Sequence, residues 1–129
     1  DLKKMAQQQQ DLVAFIDQEN YTLLTIDEVA LMEYLTVIIY SASKSATNKK
    51  LIITGKQLEK CEEENWDIFN ATNTKNFSKI LDRFFENYPQ EDLLALVEDS
   101  LQPEDDSIGR EIIFVACKSI IDTIHLQNN

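Results

Sequence analysis

The sequence predicts an all-α fold: a single-domain helical bundle over residues 1–129, with five to six helices around two buried central helices. Three observations carry this expectation. The chain holds only two Gly and two Pro, too few for the many special turns of a sandwich or barrel. Apolar residues recur at intervals of three and four rather than two over most of the length. Two stretches, Ile26 to Ala42 and about Ser107 to Leu126, are apolar around nearly the whole helical wheel, which places a helix inside a core or a membrane.

The core is the reading preferred here. A bilayer takes about 20 apolar residues, and Glu33 and Lys44 interrupt the longest apolar-rich run. A chain of 129 residues with 43% hydrophobic and 27% charged content can bury enough surface to stand without metals or disulfides. Nine Asn and nine Gln do not tip that balance towards disorder.

In chain order, Leu2, Met5, Ala6, Leu12, Val13 and Ile16 form a helical stripe over Leu2–Gln18, with Gln7 to Gln10 mostly on the solvated side. Thr25 and Glu28 have capping-box spacing, so the first central helix should begin there. From Ile26 to Ala42 it carries only Asp27, Glu28 and Glu33 as charges. Ser41 to Lys50 is polar and reads as a loop or a frayed last turn. Thr54 and Gln57 repeat the capping-box spacing before a helix from Gly55 to Ala71. The rival is one longer helix from Asn48 through Phe69, with Gly55 tolerated inside it at about 1 kcal/mol. Either way Leu58, Cys61, Ile68 and Phe69 should face inward, Trp66 should sit at the margin and Glu62 to Glu64 in solvent.

After an Asn/Thr-rich loop at 70–76, Phe77, Ile80, Leu81, Phe84, Phe85 and Tyr88 fall on one face of a helix that Pro89 should end. Pro89 also suits the first turn of the next helix, which Leu93, Leu94, Leu96, Val97 and Leu101 carry on. An acidic loop from Gln102 to Asp106 leads into the last helix, where Ile108, Ile112, Ala116, Ile120 and Ile124 recur every four residues. This helix should pack against the central one. No segment repeats another at a fixed spacing.

Catalytic chemistry finds little support in these residues. His125 is the single histidine and stands near the end of the sequence, so a Ser/His/Asp or Cys/His arrangement has little to hold it. A di-metal bundle site would need Glu-x-x-His motifs, and Gly55-Lys56 lacks the upstream Gly of a phosphate-cradling loop. Glu104, Asp105 and Asp106 are consecutive rather than alternating, without the Gly or closing Glu of a calcium loop. No catalytic residue, metal site or cofactor is therefore assigned, and no enzyme is expected. Cys61 and Cys117 both fall within helical stripes and read as free thiols, which favours a reduced, cytoplasmic setting. The sequence starts at Asp1 and leaves a removed leader open; the Asn-x-Ser/Thr triplets at Asn20, Asn70 and Asn76 read as chance in so Asn-rich a chain.

Charge stands above background. Residues 82–111 carry ten acidic and two basic side chains, whereas residues 44–60 carry five Lys and one Glu, in a chain of net −11. Separated fields of this kind steer a charged partner or favour head-to-tail self-association into a homo-oligomer. The net charge disfavours nucleic acid, for which Lys44, Lys49, Lys50, Lys56 and Lys60 are the candidate phosphate contacts. The leading expectation is a non-catalytic protein–protein interaction module, an inhibitor, immunity-type or adaptor protein. Its partner would present a basic surface to Glu98, Asp99, Glu104, Asp105 and Asp106. The alternative is a small-molecule or lipid-binding bundle with Trp66, Phe69, Phe77, Phe84, Phe85 and Phe114 lining a cavity.

Overall fold

A computed structural model describes residues 2–18, 23–47, 49–72, 76–101 and 108–127. Seven helices and no strand occur among them: α1 (Leu2–Gln8), α2 (Gln10–Ile16), α3 (Ile26–Ser45), α4 (Gly55–Ala71), α5 (Phe77–Phe85), α6 (Glu91–Ser100) and α7 (Ile108–Gln127). The all-α expectation is met. Glu104, Asp105 and Asp106, with Asn20, lie outside the described residues.

The packing centres on α7. Every residue from Ile112 to Ile121 is buried, and α4, α3 and α6 pack around this helix. Its direction relative to its neighbours follows from side-chain contacts at the two ends. Glu28, in the first turn of α3, lies against Gly109 in the first turn of α7, so closely that a Cβ on Gly109 would collide with the carboxylate. At the other end Ala42, Ala46, Ile124 and His125 line one hollow. The helices α3 and α7 therefore run parallel, as expected neighbours. By the same logic α4 is antiparallel to α7, since the Thr54 N–H donates to Gln127 Oε1 at 3.1 Å. A Gln90–His125 contact of 3.3 Å makes α6 antiparallel as well. One hydrophobic cluster draws residues from all seven helices, from Met5 and Leu12 to Leu94 and Ile124.

Local chemistry explains where the elements begin and end. Both halves of the capping box at Thr25 form: Glu28 N–H donates to Thr25 Oγ1 at 3.2 Å and Thr25 N–H donates to Glu28 Oε1 at 2.9 Å. At α4 the Thr54 hydroxyl accepts from Gln57 N–H at 3.3 Å, and Asp11 of α2 accepts from Gly55 N–H at 2.9 Å. Residues 51–54 are not helical, and Leu51 and Ile53 point inward while Ile52 is exposed. The alternation and the cap decide for a separate segment followed by a helix that starts at Gly55.

Several expectations need correction. Seven helices stand where five to six were expected, because the Leu2–Gln18 stripe breaks at Gln9. That residue leaves helical geometry (φ −134°, ψ 71°) and buries its side-chain amide, which donates to the Leu51 carbonyl at 2.9 Å. The central helix is not enclosed all round either. Met32, Leu35, Thr36, Ile39 and Tyr40 are buried, but Ile26 is 89% and Tyr34 61% exposed, since α7 and α1 cover only one side of α3. Ile68 is exposed, and the inward position on α4 belongs instead to Asn65. The fifth helix stops at Phe85, short of Tyr88, because Asn87 adopts a left-handed φ of 53°, a conformation that Asn tolerates better than most residues. Pro89 consequently lies in that turn, and Gln90 rather than Pro89 caps α6.

Core and flank should differ in their response to truncation. Ile113, 1% exposed, lies in the core, so Ile113→Ala should cost about 2–5 kcal/mol in chemical denaturation. Ile38, which is only half-buried on α3, should lose distinctly less, because less of its surface leaves water on folding.

Candidate functional site

Among the described residues, one constellation of ionisable side chains inside the molecule joins α7, α4 and the turn after α5. Lys118 Nζ lies 2.9 Å from Asp122 Oδ2 and donates to Asn65 Oδ1 at 2.9 Å. Asn65 Nδ2 donates to Asp122 Oδ2 and to Ser119 Oγ, both at 3.0 Å. The Tyr88 hydroxyl donates to Asp122 Oδ1 at 2.5 Å. Lys118 also stands over the rings of Tyr88 and Phe84, at 4.7 and 5.4 Å from their centroids. Burial, and then the neighbouring Asp122 carboxylate, push the Tyr88 phenol far above its ordinary value, so it stays protonated and serves as donor.

A Lys, an Asp, a Tyr and a Ser in one place resemble acid–base machinery. Their bonds all run to one another or to the backbone, however: Ser119 donates back to the Val115 carbonyl at 2.7 Å and Thr123 to the Ser119 carbonyl at 2.8 Å. The contacts leave no reacting atom between them, and the arrangement can do one thing well. It fixes the register of α4 and the 86–90 turn on α7. The helical stripes did not reveal Lys118, Asp122, Asn65 or Tyr88 as a group. The signal was Lys118 and Asp122 four apart in a run otherwise free of charge from Ile112 to Ile124.

The surface is polarised along α3 and α7. At the end where they begin stand Asp27, Glu28 and Glu111 in their first turns, while the antiparallel α6 runs from beside His125 back towards that end and carries Glu98 and Asp99 in its last turn. The Glu98 carboxyl is shifted upward, by burial first and then by Asp99 and Asp82 beside it; Glu111 is shifted the same way by burial, against Arg110. Exposed apolar side chains belong to the same end: Leu23 at 61%, Ile26 at 89% and Ile108 at 55%. Two of the five expected partner-binding residues, Glu98 and Asp99, lie in the last turn of α6 beside Asp82.

At the opposite end Lys44 closes α3, and Lys4, Lys44, Lys49 and Lys50 line adjoining hollows. Of the aromatic residues considered for a ligand cavity, Trp66, Phe69, Phe77, Phe84 and Phe114 pack on one another. Trp66–Phe69, Phe84–Phe114 and Phe77–Phe114 have centroids 5.4, 5.4 and 6.0 Å apart. A separate hollow of about 290 Å³ between α3, α6 and α7 holds Leu93, Ile121 and the half-buried His125. Among the described residues no group of three or more His, Cys, Asp or Glu is placed to hold a metal ion, and no helix is long and apolar enough to cross a membrane. Cys61 and Cys117 are free and buried, and burial pushes the Cys117 thiol up to about 12.

Comparison with known protein families, with curated proteins and with solved structures found no match.

Two measurements follow from this geometry. Asp122→Ala leaves the Lys118 ammonium buried without its carboxylate and should cost about 3–5 kcal/mol, whereas Lys118→Met combined with Asp122→Leu should cost clearly less, because no charge is then stranded. Equal losses in urea denaturation would contradict the network. At Glu98 the folded-state carboxyl takes up a proton more readily than the unfolded one. Its ionisation therefore opposes folding above the ordinary carboxylate range and ceases to do so below it. Glu98→Gln should raise the melting temperature at neutral pH, and the gain should vanish as pH falls below about 4.

Proposed function

We propose that this protein is a non-catalytic protein-binding module, an adaptor or inhibitor, whose partner presents a basic surface to the acidic end of the bundle. Two observations carry this reading: exposed Leu23, Ile26 and Ile108 stand with Asp27, Glu28 and Glu111 where α3 and α7 begin, and α6 holds carboxylates that the fold itself does not favour. Glu98 and Asp99 occupy the last turn of α6, with no basic side chain in it, where the negative end of the helix dipole disfavours them. Asp82 and Asp99 lie near enough to Glu98 to raise its affinity for protons. A stability optimum would place Lys there. Residues that work against their own fold are characteristic of binding surfaces. Apolar centres with charged surroundings are the usual anatomy of an interface. Glu104, Asp105 and Asp106 stand two to four positions before Ile108 in the sequence. A cytoplasmic setting and a single folding unit belong to this reading.

The test uses two variants, Glu98, Asp99, Glu104 and Asp105 all changed to Lys, and Ile26 and Ile108 both changed to Asp. Immobilised wild-type protein should capture a basic partner from source lysate. Purified, that partner should associate with the four-site variant at least about tenfold more slowly, and with the wild type more slowly at about 0.5 M salt than at about 0.1 M. Dissociation should be faster from the Ile variant, because apolar contacts act mainly on lifetime. An unchanged association rate in the four-site variant would overturn the reading.

A further inference from the structure

The basic end of the molecule holds a shaped cleft that the protein-binding reading does not use. Two hollows of about 350 and 470 Å³ share Gln8, Tyr40 and Lys44 and so adjoin between α1, α3 and the segment after α3. Lys4 and Lys44 stand along one part, and Lys44, Lys49 and Lys50 along the other. No Asp or Glu lines either hollow among the described residues, although Asp and Glu outnumber Lys and Arg by 23 to 12 in the chain.

The floor is pre-arranged. Gln9 is buried and donates to the Leu51 carbonyl at 2.9 Å and to the Tyr40 oxygen at 3.4 Å. Tyr40 in turn donates to Gln8 Oε1 at 3.1 Å, and Lys44 Nζ donates to the same oxygen at 3.0 Å. The break between α1 and α2 is what brings Gln9 inward, so the kink, the floor and the cleft are one construction. Walls that need no ordering on binding lose less free energy when a ligand arrives.

We propose that this cleft binds a small, multiply charged phosphate anion. Several ammonium groups around a concave polar floor suit phosphate oxygens, which accept hydrogen bonds from Lys and from amide N–H groups alike. The combined size suits a compact anion of a few phosphate groups. Recognition stops at the phosphates: the Tyr40 ring is buried, with Lys44 above it at 5.8 Å from the centroid, so it offers no platform for a base to stack on. The overall charge of −11 does not prevent binding, since exposed charges are screened beyond about 8 Å at physiological ionic strength and the lysines are the nearest charges to the ligand.

Inorganic tripolyphosphate is the probe, titrated by calorimetry into the full chain at about 0.1 M salt. The expected result is one saturable site with a Kd below about 1 mM. The double variant Lys49→Glu with Lys50→Glu, both exposed and outside the helices, should weaken binding at least about tenfold. Lys44→Gln should weaken it severalfold. Lys60→Glu with Lys79→Glu makes the same change in net charge on α4 and α5, away from the cleft, and should move the Kd less than about twofold. Adenosine triphosphate should bind no tighter than tripolyphosphate. Absence of saturation, equal weakening in the two double variants, or at least about tenfold tighter binding of the nucleotide would each overturn the assignment.

Discussion

Keeping α7 away from water is the constraint on which the rest of this structure depends. Ten successive residues, Ile112 to Ile121, are buried, and a helix hidden on every side must be met by neighbours on every side. The helices α3, α4 and α6 supply them, α5 adds Phe77 and Phe84 against Phe114, and α1 and α2 pack on α3 and α4. Enclosure costs something at Lys118, whose ammonium cannot reach bulk water. Asp122, Asn65 and two aromatic rings stand in for that water, and because they come from α7, α4, α5 and the turn after α5 they also fix how α4 and residues 86–90 sit on α7.

Direction along α7 then sorts the surface. Since α3 runs parallel to α7, the positive ends of two helix dipoles lie together and attract Asp27, Glu28 and Glu111, while Lys44 and His125 complement the other ends. These placements stabilise the pair. The antiparallel α6 carries Glu98 and Asp99 in its own last turn without that compensation. The break at Gln9 has a comparable double role at the other end: it interrupts a helix, ties Leu51 to Tyr40, and leaves a depression bordered by lysines.

Much of this was legible in the residues, and the failures share a cause. Periodicity identified α7 and most of α5, and the Thr25–Glu28 pair located the start of α3 because a capping box is a local device that needs no tertiary information. Breaks set by distant partners were invisible. Gln9 leaves the helix to reach Leu51, and Asn87 turns the chain so that Tyr88 reaches Asp122, contacts across 42 and 34 positions of sequence. Asn65 carried no signal in the sequence, because its partners lie 54 and 57 positions away. Apolarity around the whole wheel of α3 suggested full burial, yet composition alone does not say whether a side faces the core or remains open to a partner, and Ile26 and Tyr34 remain open. Charge was legible as two segments of sequence; the fold divides the acidic one, because the antiparallel α6 starts with Glu91 and Asp92 at the His125 end.

Native-state hydrogen exchange tests the central place of α7 most directly. Amides from Ile112 to Ile121 should exchange only through global unfolding, with protection equal to the stability of the whole protein, while amides in the first turns of α3 exchange through smaller local openings. Exchange of the α7 amides at free energies well below the global value, with α3 protected instead, would contradict the arrangement described.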